Sequence, residues 1–132
     1  MLYYDIHTHH LPKHPEDVAI LNHIVGVDAE VSLLDKEHIF YSVGIHPWYI
    51  KEGKGQVDGC KRMFSSSKVI AIGEAGLDKF ADTSLQEQLS VFKQQALLAE
   101  ANKLFMIIHC VKAWDELIAL KRALLPKMPW II

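Results

Sequence analysis

The strongest constraint on this chain is a set of short runs that are apolar on both faces. Ile39-Phe40-Tyr41-Ser42-Val43-Gly44-Ile45, Lys68-Val69-Ile70-Ala71-Ile72 and Leu104-Phe105-Met106-Ile107-Ile108 are near-continuous in aliphatic and aromatic residues. A strand with one wet face alternates, whereas a continuous run has to be covered on both sides. Helical patterns lie between the runs. Gln56 to Phe64 places Val57, Cys60 and Phe64 on one helical face. Ser84-Leu85-Gln86-Glu87 is a capping-box pattern, in which Ser84 caps a first-turn amide and Glu87 reaches back. Leu85, Leu89, Phe92, Ala96 and Ala99 then form one core-facing stripe. Ala113 to Leu124 reads as a further helix, stopped before Pro126. Doubly covered strands alternating with helices predict an α/β fold with a parallel sheet.

The flanks extend the pattern. Leu2 to Ile6 reads as a strand that ends in the polar run His7-Thr8-His9-His10, and Pro129 to Ile132 opens another. Val18 to Val27, with a turn at Gly26, fits either element type. A barrel of eight strand–helix units needs ~250 residues; the 132 present are about half of that, enough for a single domain. A net charge of −2 carries no basic nucleic-acid footprint. No run approaches the ~18 apolar residues of a membrane span, and no signal peptide is visible. Cys60 and Cys110 lie apart without a CxxC, which suits a reduced, cytoplasmic setting.

Eight histidines are present, and their positions are informative. Four strands end, at the C-terminal edge, in groups able to bind a metal: His7 and His9, His46, Glu74, and His109. In parallel α/β folds that edge is where active sites form. On an extended strand His7 and His9 project to one face, two steps of ~3.3 Å apart, and can converge on one ion. Asp5 shares that face and can orient a histidine ring. Glu74 lies between Gly73 and Gly76, which let backbone approach and leave the carboxylate room. Singly, each residue is as readily a loop or packing residue; together, at corresponding strand ends, they predict a metal centre.

The other candidates have simpler explanations. His10, His14, His23 and His38 read as structural, and Cys110 as a small hydrophobe with no base or oxyanion site in view. Trp48, Trp114 and Trp130 read as packing, although Trp48, beside His46, can line a substrate pocket. Lys112, three residues after His109, is the one cation placed to meet a phosphate.

Asp5-Ile6-His7-Thr8-His9, Gly44-Ile45-His46-Pro47, Gly73-Glu74-Ala75-Gly76-Leu77-Asp78 and Ile107-Ile108-His109 resemble, in order and context, the TatD family of metal-dependent hydrolases. The resemblance covers nearly the whole chain. It implies a partial TIM (β/α) barrel of amidohydrolase type, about the first half of the fold, with residues 1–132 as one incomplete domain. By position, His7 and His9 would hold one divalent ion, Glu74 would bridge two and serve catalysis, and His109 would bind the second. His46, Asp78 and Lys112 would meet substrate. Departures are visible too. Fewer residues than usual separate the first two blocks, Trp48 and Val111-Lys112 stand where the family has other polar groups, and a further His and Asp ligand would lie beyond Ile132.

The implied function is metal-dependent hydrolysis of a phosphodiester by a deoxyribonuclease with two divalent ions. Mixed His and carboxylate ligands suit Zn, Mn or Fe, with Mg preferring oxygen alone. Nucleic acid is the implied substrate, and a homo-oligomer or a complementing C-terminal half the implied partner. Two alternatives remain at this point: hydrolysis of amides or lactones by the same centre, and a catalytically inactive metal-binding fragment.

Overall fold

The structure, a computed structural model, describes residues 2–28, 33–51 and 53–132. Six parallel strands form one sheet in chain order: β1 (Tyr4–Thr8), β2 (Val18–Ile24), β3 (Ile39–Gly44), β4 (Val69–Asp78), β5 (Phe105–Val111) and β6 (Trp130–Ile131). Helices α1 (Gly53–Met63), α2 (Leu85–Asn102) and α3 (Trp114–Leu124) fill the last three crossovers, giving a partial (β/α) barrel. No helix among the described residues is long and apolar enough to cross a membrane.

The helices form where the sequence places them. Ser84 Oγ accepts from the Glu87 N–H at 3.3 Å and opens α2. Lys103, at φ +56, closes it with its N–H on the Ala99 and Glu100 carbonyls. The apolar stripe of α2 sits over β4 and β5, where Phe92, Ala96 and Ala99 meet Ile72, Leu77 and Met106. Trp130 of β6 packs edge-on against Phe92, with ring centroids 5.3 Å apart. A second cluster joins Val57 and Cys60 of α1 to Ile39, Tyr41 and Val43 of β3. Burial pushes the Cys60 thiol up to about 12. Neither cysteine is in a disulfide.

The structure settles one open element and departs from the sequence expectation in two others. Val18–Ile24 resolves as a strand, closed by a turn in which Gly26 takes φ +89. The connections β1–β2 and β2–β3 carry no helix among the described residues, so Tyr4 and Ile6 of β1 remain 69% and 54% exposed. Three of the chemistry-bearing residues also sit within strands rather than beyond them, whereas His9 and His46 follow theirs. β1 runs through His7, β4 through the whole of Gly73 to Asp78, and β5 through His109. Register shifts accompany two of them, while His109 pairs regularly with Gly76. His7 lies inside the shift between Asp5 and Thr8, and Glu74 inside the shift between Ile72 and Ala75. Such irregularities turn a side chain away from the regular alternation without ending the pairing.

Candidate metal centre

β1, β3, β4 and β5 bring their polar groups together around Glu74. Its Oε1 lies 3.1 Å from His109 Nδ1, and its Oε2 lies 3.5 Å from His7 Nε2 and 4.0 Å from His46 Nε2. The His9 ring stands edge-on to the His7 ring, with centroids 5.0 Å apart, and the His46 and His109 rings are 4.5 Å apart. Two groups of donor atoms result, His7–His9–Glu74 and His46–Glu74–His109, and both include the same carboxylate. The cleft above them, about 300 Å³, is lined by His9, Ile24, His46, Trp48, Tyr49, Glu74 and His109.

The backbone holds this arrangement closely. A Cβ at Gly76 would land on the His109 carbonyl, so only glycine allows β4 and β5 to approach here. Asn22 of β2 reaches across the sheet: its Oδ1 accepts from the Glu74 N–H at 2.8 Å and from Ser42 Oγ at 3.2 Å. Two glutamines of α2 grip the backbone beside this cluster. Gln95 Oε1 accepts from the Ile45 N–H at 2.8 Å, next to His46. Gln88 Oε1 accepts from the Asp78 N–H at 2.8 Å, and its Nε2 donates to the Asp78 carbonyl at 2.9 Å.

The electrostatics follow from proximity. Hydrogen bonds from His109 and His7 hold the Glu74 carboxyl far below its usual range despite burial. The same bonds to Glu74 raise His7 and His109. His46 moves the other way, lowered by burial and by the neighbouring His109 ring. Its Nδ1 accepts from the Trp48 N–H at 3.2 Å, so the neutral ring carries its proton on Nε2.

Asp78 lies behind the cluster rather than in the cleft, 1% exposed. Its Oδ2 receives His109 Nε2 at 2.9 Å and Trp48 Nε1 at 2.6 Å, and its Oδ1 the Phe80 N–H at 2.8 Å. Burial pushes its carboxyl up, but these donors outweigh it and the net shift is downward. Asp5, expected to orient a histidine ring, instead accepts from the His7 backbone N–H at 3.2 Å. The Lys112 Nζ sits over the Phe80 ring, 5.0 Å from its centre.

A family model described as TatD related DNase matches residues 5–131. The chain belongs to the TatD family. Among curated relatives, the 3'-5' ssDNA/RNA exonuclease TatD of Erwinia billingiae is 34% identical over 90 residues, 67% of this chain and 34% of that protein. Its namesake from Erwinia tasmaniensis is 30% identical over 96 residues, 70% of this chain and 36% of that one. The crystal structure of YJJV, a TatD homologue from Escherichia coli K12, superposes with a TM-score of 0.75 at 22% identity, covering 96% of this chain and 57% of the other. This TatD chain therefore spans about a third of the length of these curated relatives and just over half of that solved structure.

Asn22, Gln88 and Gln95 belong to no sequence motif, yet each leaves a trace. Asn22 follows four apolar residues within a strand, where asparagine is disfavoured. Gln88 and Gln95 fall seven residues apart on the buried stripe of α2. A polar residue in such a place needs a partner.

Proposed function

We propose that the protein is a divalent-metal-dependent phosphodiesterase acting on single-stranded nucleic acid, with Glu74 shared between two ions. The observation that carries this is the division of one carboxylate between two donor groups: Oε2 faces His7 while Oε1 faces His109. The names of the Erwinia relatives supply the substrate class.

The residues fit such a centre. Three imidazoles surround an ionised carboxylate, and His7 Nδ1 is buried with no hydrogen-bond partner among the described residues. His7, His9 and Glu74 would hold one ion, and Glu74 and His109 the other. Bound divalent ions lower the pKa of water and stabilise the oxygens of a phosphodiester under in-line attack.

The chain's own groups have distinct tasks. Glu74 stays ionised through the working pH range, and Asp78 fixes the His109 ring by taking its Nε2–H, which leaves Nδ1 facing Glu74. His46 is a donor rather than a ligand, because binding an ion through Nε2 while Nδ1 accepts from Trp48 would require an imidazolate. Its Nε2–H would donate to a phosphate oxygen in the cleft.

Metal content per chain, measured by elemental analysis after purification without chelator, tests the assignment. Occupancy is expected to drop in Glu74→Gln, together with hydrolysis of a labelled single-stranded oligonucleotide. Two ions retained in the variant would overturn the bridging role. Faster turnover of simple amides or lactones than of the oligonucleotide would overturn the substrate class.

A further inference from the structure

Trp48, Phe80 and Lys112 occupy the ends of three consecutive strands. Trp48 lies in the 3₁₀ turn Pro47–Tyr49 after β3, Phe80 two residues after β4, and Lys112 next to the end of β5. The two aromatic residues are 58% and 67% exposed, so neither is the packing residue that its type suggests. Together with Ala81 and Asp82 they line a cleft of about 200 Å³. Trp48 is also a wall of the metal cleft, so one indole separates the two spaces.

Both aromatics hang from one carboxylate. Asp78 takes the Trp48 indole N–H on Oδ2 and the Phe80 backbone N–H on Oδ1, while also holding His109. The aromatic cleft is therefore fixed relative to the metal ligands by a buried side chain. Lys112 adopts φ +53, costly for a residue with a side chain, and its ammonium sits over the Phe80 ring at 5.0 Å.

We propose that this cleft is a base-stacking subsite, receiving the nucleobase adjacent to the phosphodiester held at the metal centre. The subsite rests on the phosphodiesterase function proposed above and specifies its substrate further. Exposed aromatic faces accept any base, and the Lys112 cation suits the neighbouring phosphate. The Asp82 carboxylate can accept a hydrogen bond from a base edge and repels phosphate, so the cleft favours the base over the backbone. Bases within a duplex keep both faces stacked, so such a subsite selects unpaired strands.

The test is binding of a fluorescein-labelled oligothymidylate with hydrolysis-resistant phosphorothioate linkages, followed by anisotropy. An abasic oligomer of equal length serves as comparator. The base-bearing probe is expected to bind roughly tenfold or more tightly than the abasic one. Phe80→Ala should erase that gap, and Phe80→Tyr should restore it. Equal affinity for the two probes overturns the subsite and leaves the phosphodiesterase function standing. A gap that survives Phe80→Ala seats the base elsewhere and also overturns it. No binding of either probe overturns both.

Discussion

Gln95 offers a sharp test of how this barrel holds its site, because its whole contribution is polar and its replacement can be nearly isosteric. It is 1% exposed, and its amide makes a two-way bond with one backbone unit: Oε1 accepts from the Ile45 N–H at 2.8 Å and Nε2 donates to the Ile45 carbonyl at 3.2 Å. Gln95→Met keeps the unbranched shape and removes both bonds. Two buried backbone groups lose their partners, each at a cost of ~1–3 kcal/mol. The new thioether and methyl return roughly 1.6 kcal/mol of apolar burial. The net destabilisation is about 2–3 kcal/mol, which lowers the urea midpoint by about 1–2 M at unchanged m-value. Gln94→Met is the control: its amide makes only a 3.4 Å exposed bond to the Ser90 carbonyl, so the change stays within ~0.5 kcal/mol. A Gln95→Met protein as stable as the parent would refute the view that α2 pins the β3 end through this amide.

Other outcomes follow from the same geometry. In chelated protein, the bonds to Glu74 raise His7 and His109 above 6.5, so their stabilisation is complete below pH 6.5 and drains away as pH rises through the raised values. The urea midpoint should fall over that range and fall less steeply in Glu74→Gln, where Asp78 still holds His109, whereas an unchanged slope in the variant would refute the coupling. His46, lowered from 6.5, acts in the opposite sense and costs stability as pH falls through its folded value; titrating its ring protons by NMR checks the direction. Gly76→Ala drives a methyl into the His109 carbonyl and is expected to cost more than about 4 kcal/mol or prevent folding. Gly55→Ala, in α1 with no heavy atom within 4 Å of the added carbon, should raise the thermal midpoint through a gain of about 0.5–1 kcal/mol.

Residues whose role depends on local pattern are legible in the sequence itself. Ser84 opens α2 as its spacing from Glu87 suggests, and His7, His46, Glu74 and His109 meet because parallel strands present their C-terminal ends together. Residues whose role depends on distant partners are not. Asp78 looks like a substrate contact beside Glu74 in the sequence, but it is sealed by Trp48, 30 residues away, and by His109, 31 away. The seat of Lys112 over the Phe80 ring is equally hidden, because it joins residues that follow two different strands. The sequence pattern ends its strands too early for a related reason. The glycines of Gly73 to Gly76 signal a loop, and only the close packing of β5 shows that they keep β4 in the sheet.

The bare outer side of β1 has a dynamic consequence. With no helix among the described residues of its crossover, this strand contributes nothing to the buried clusters and lies on β2 largely through backbone bonds. Opening free energy tracks buried contacts, so β1 can peel away while β3 to β5 stay folded, and its amide protons should exchange well before those of β4. Yet β1 carries His7, and His9 follows directly after it. Any ion that joins them to Glu74 ties the loosest strand to one of the most deeply buried, making ligation and strand docking one linked equilibrium. Affinity measured for that ion would then include the cost of bringing the strand home.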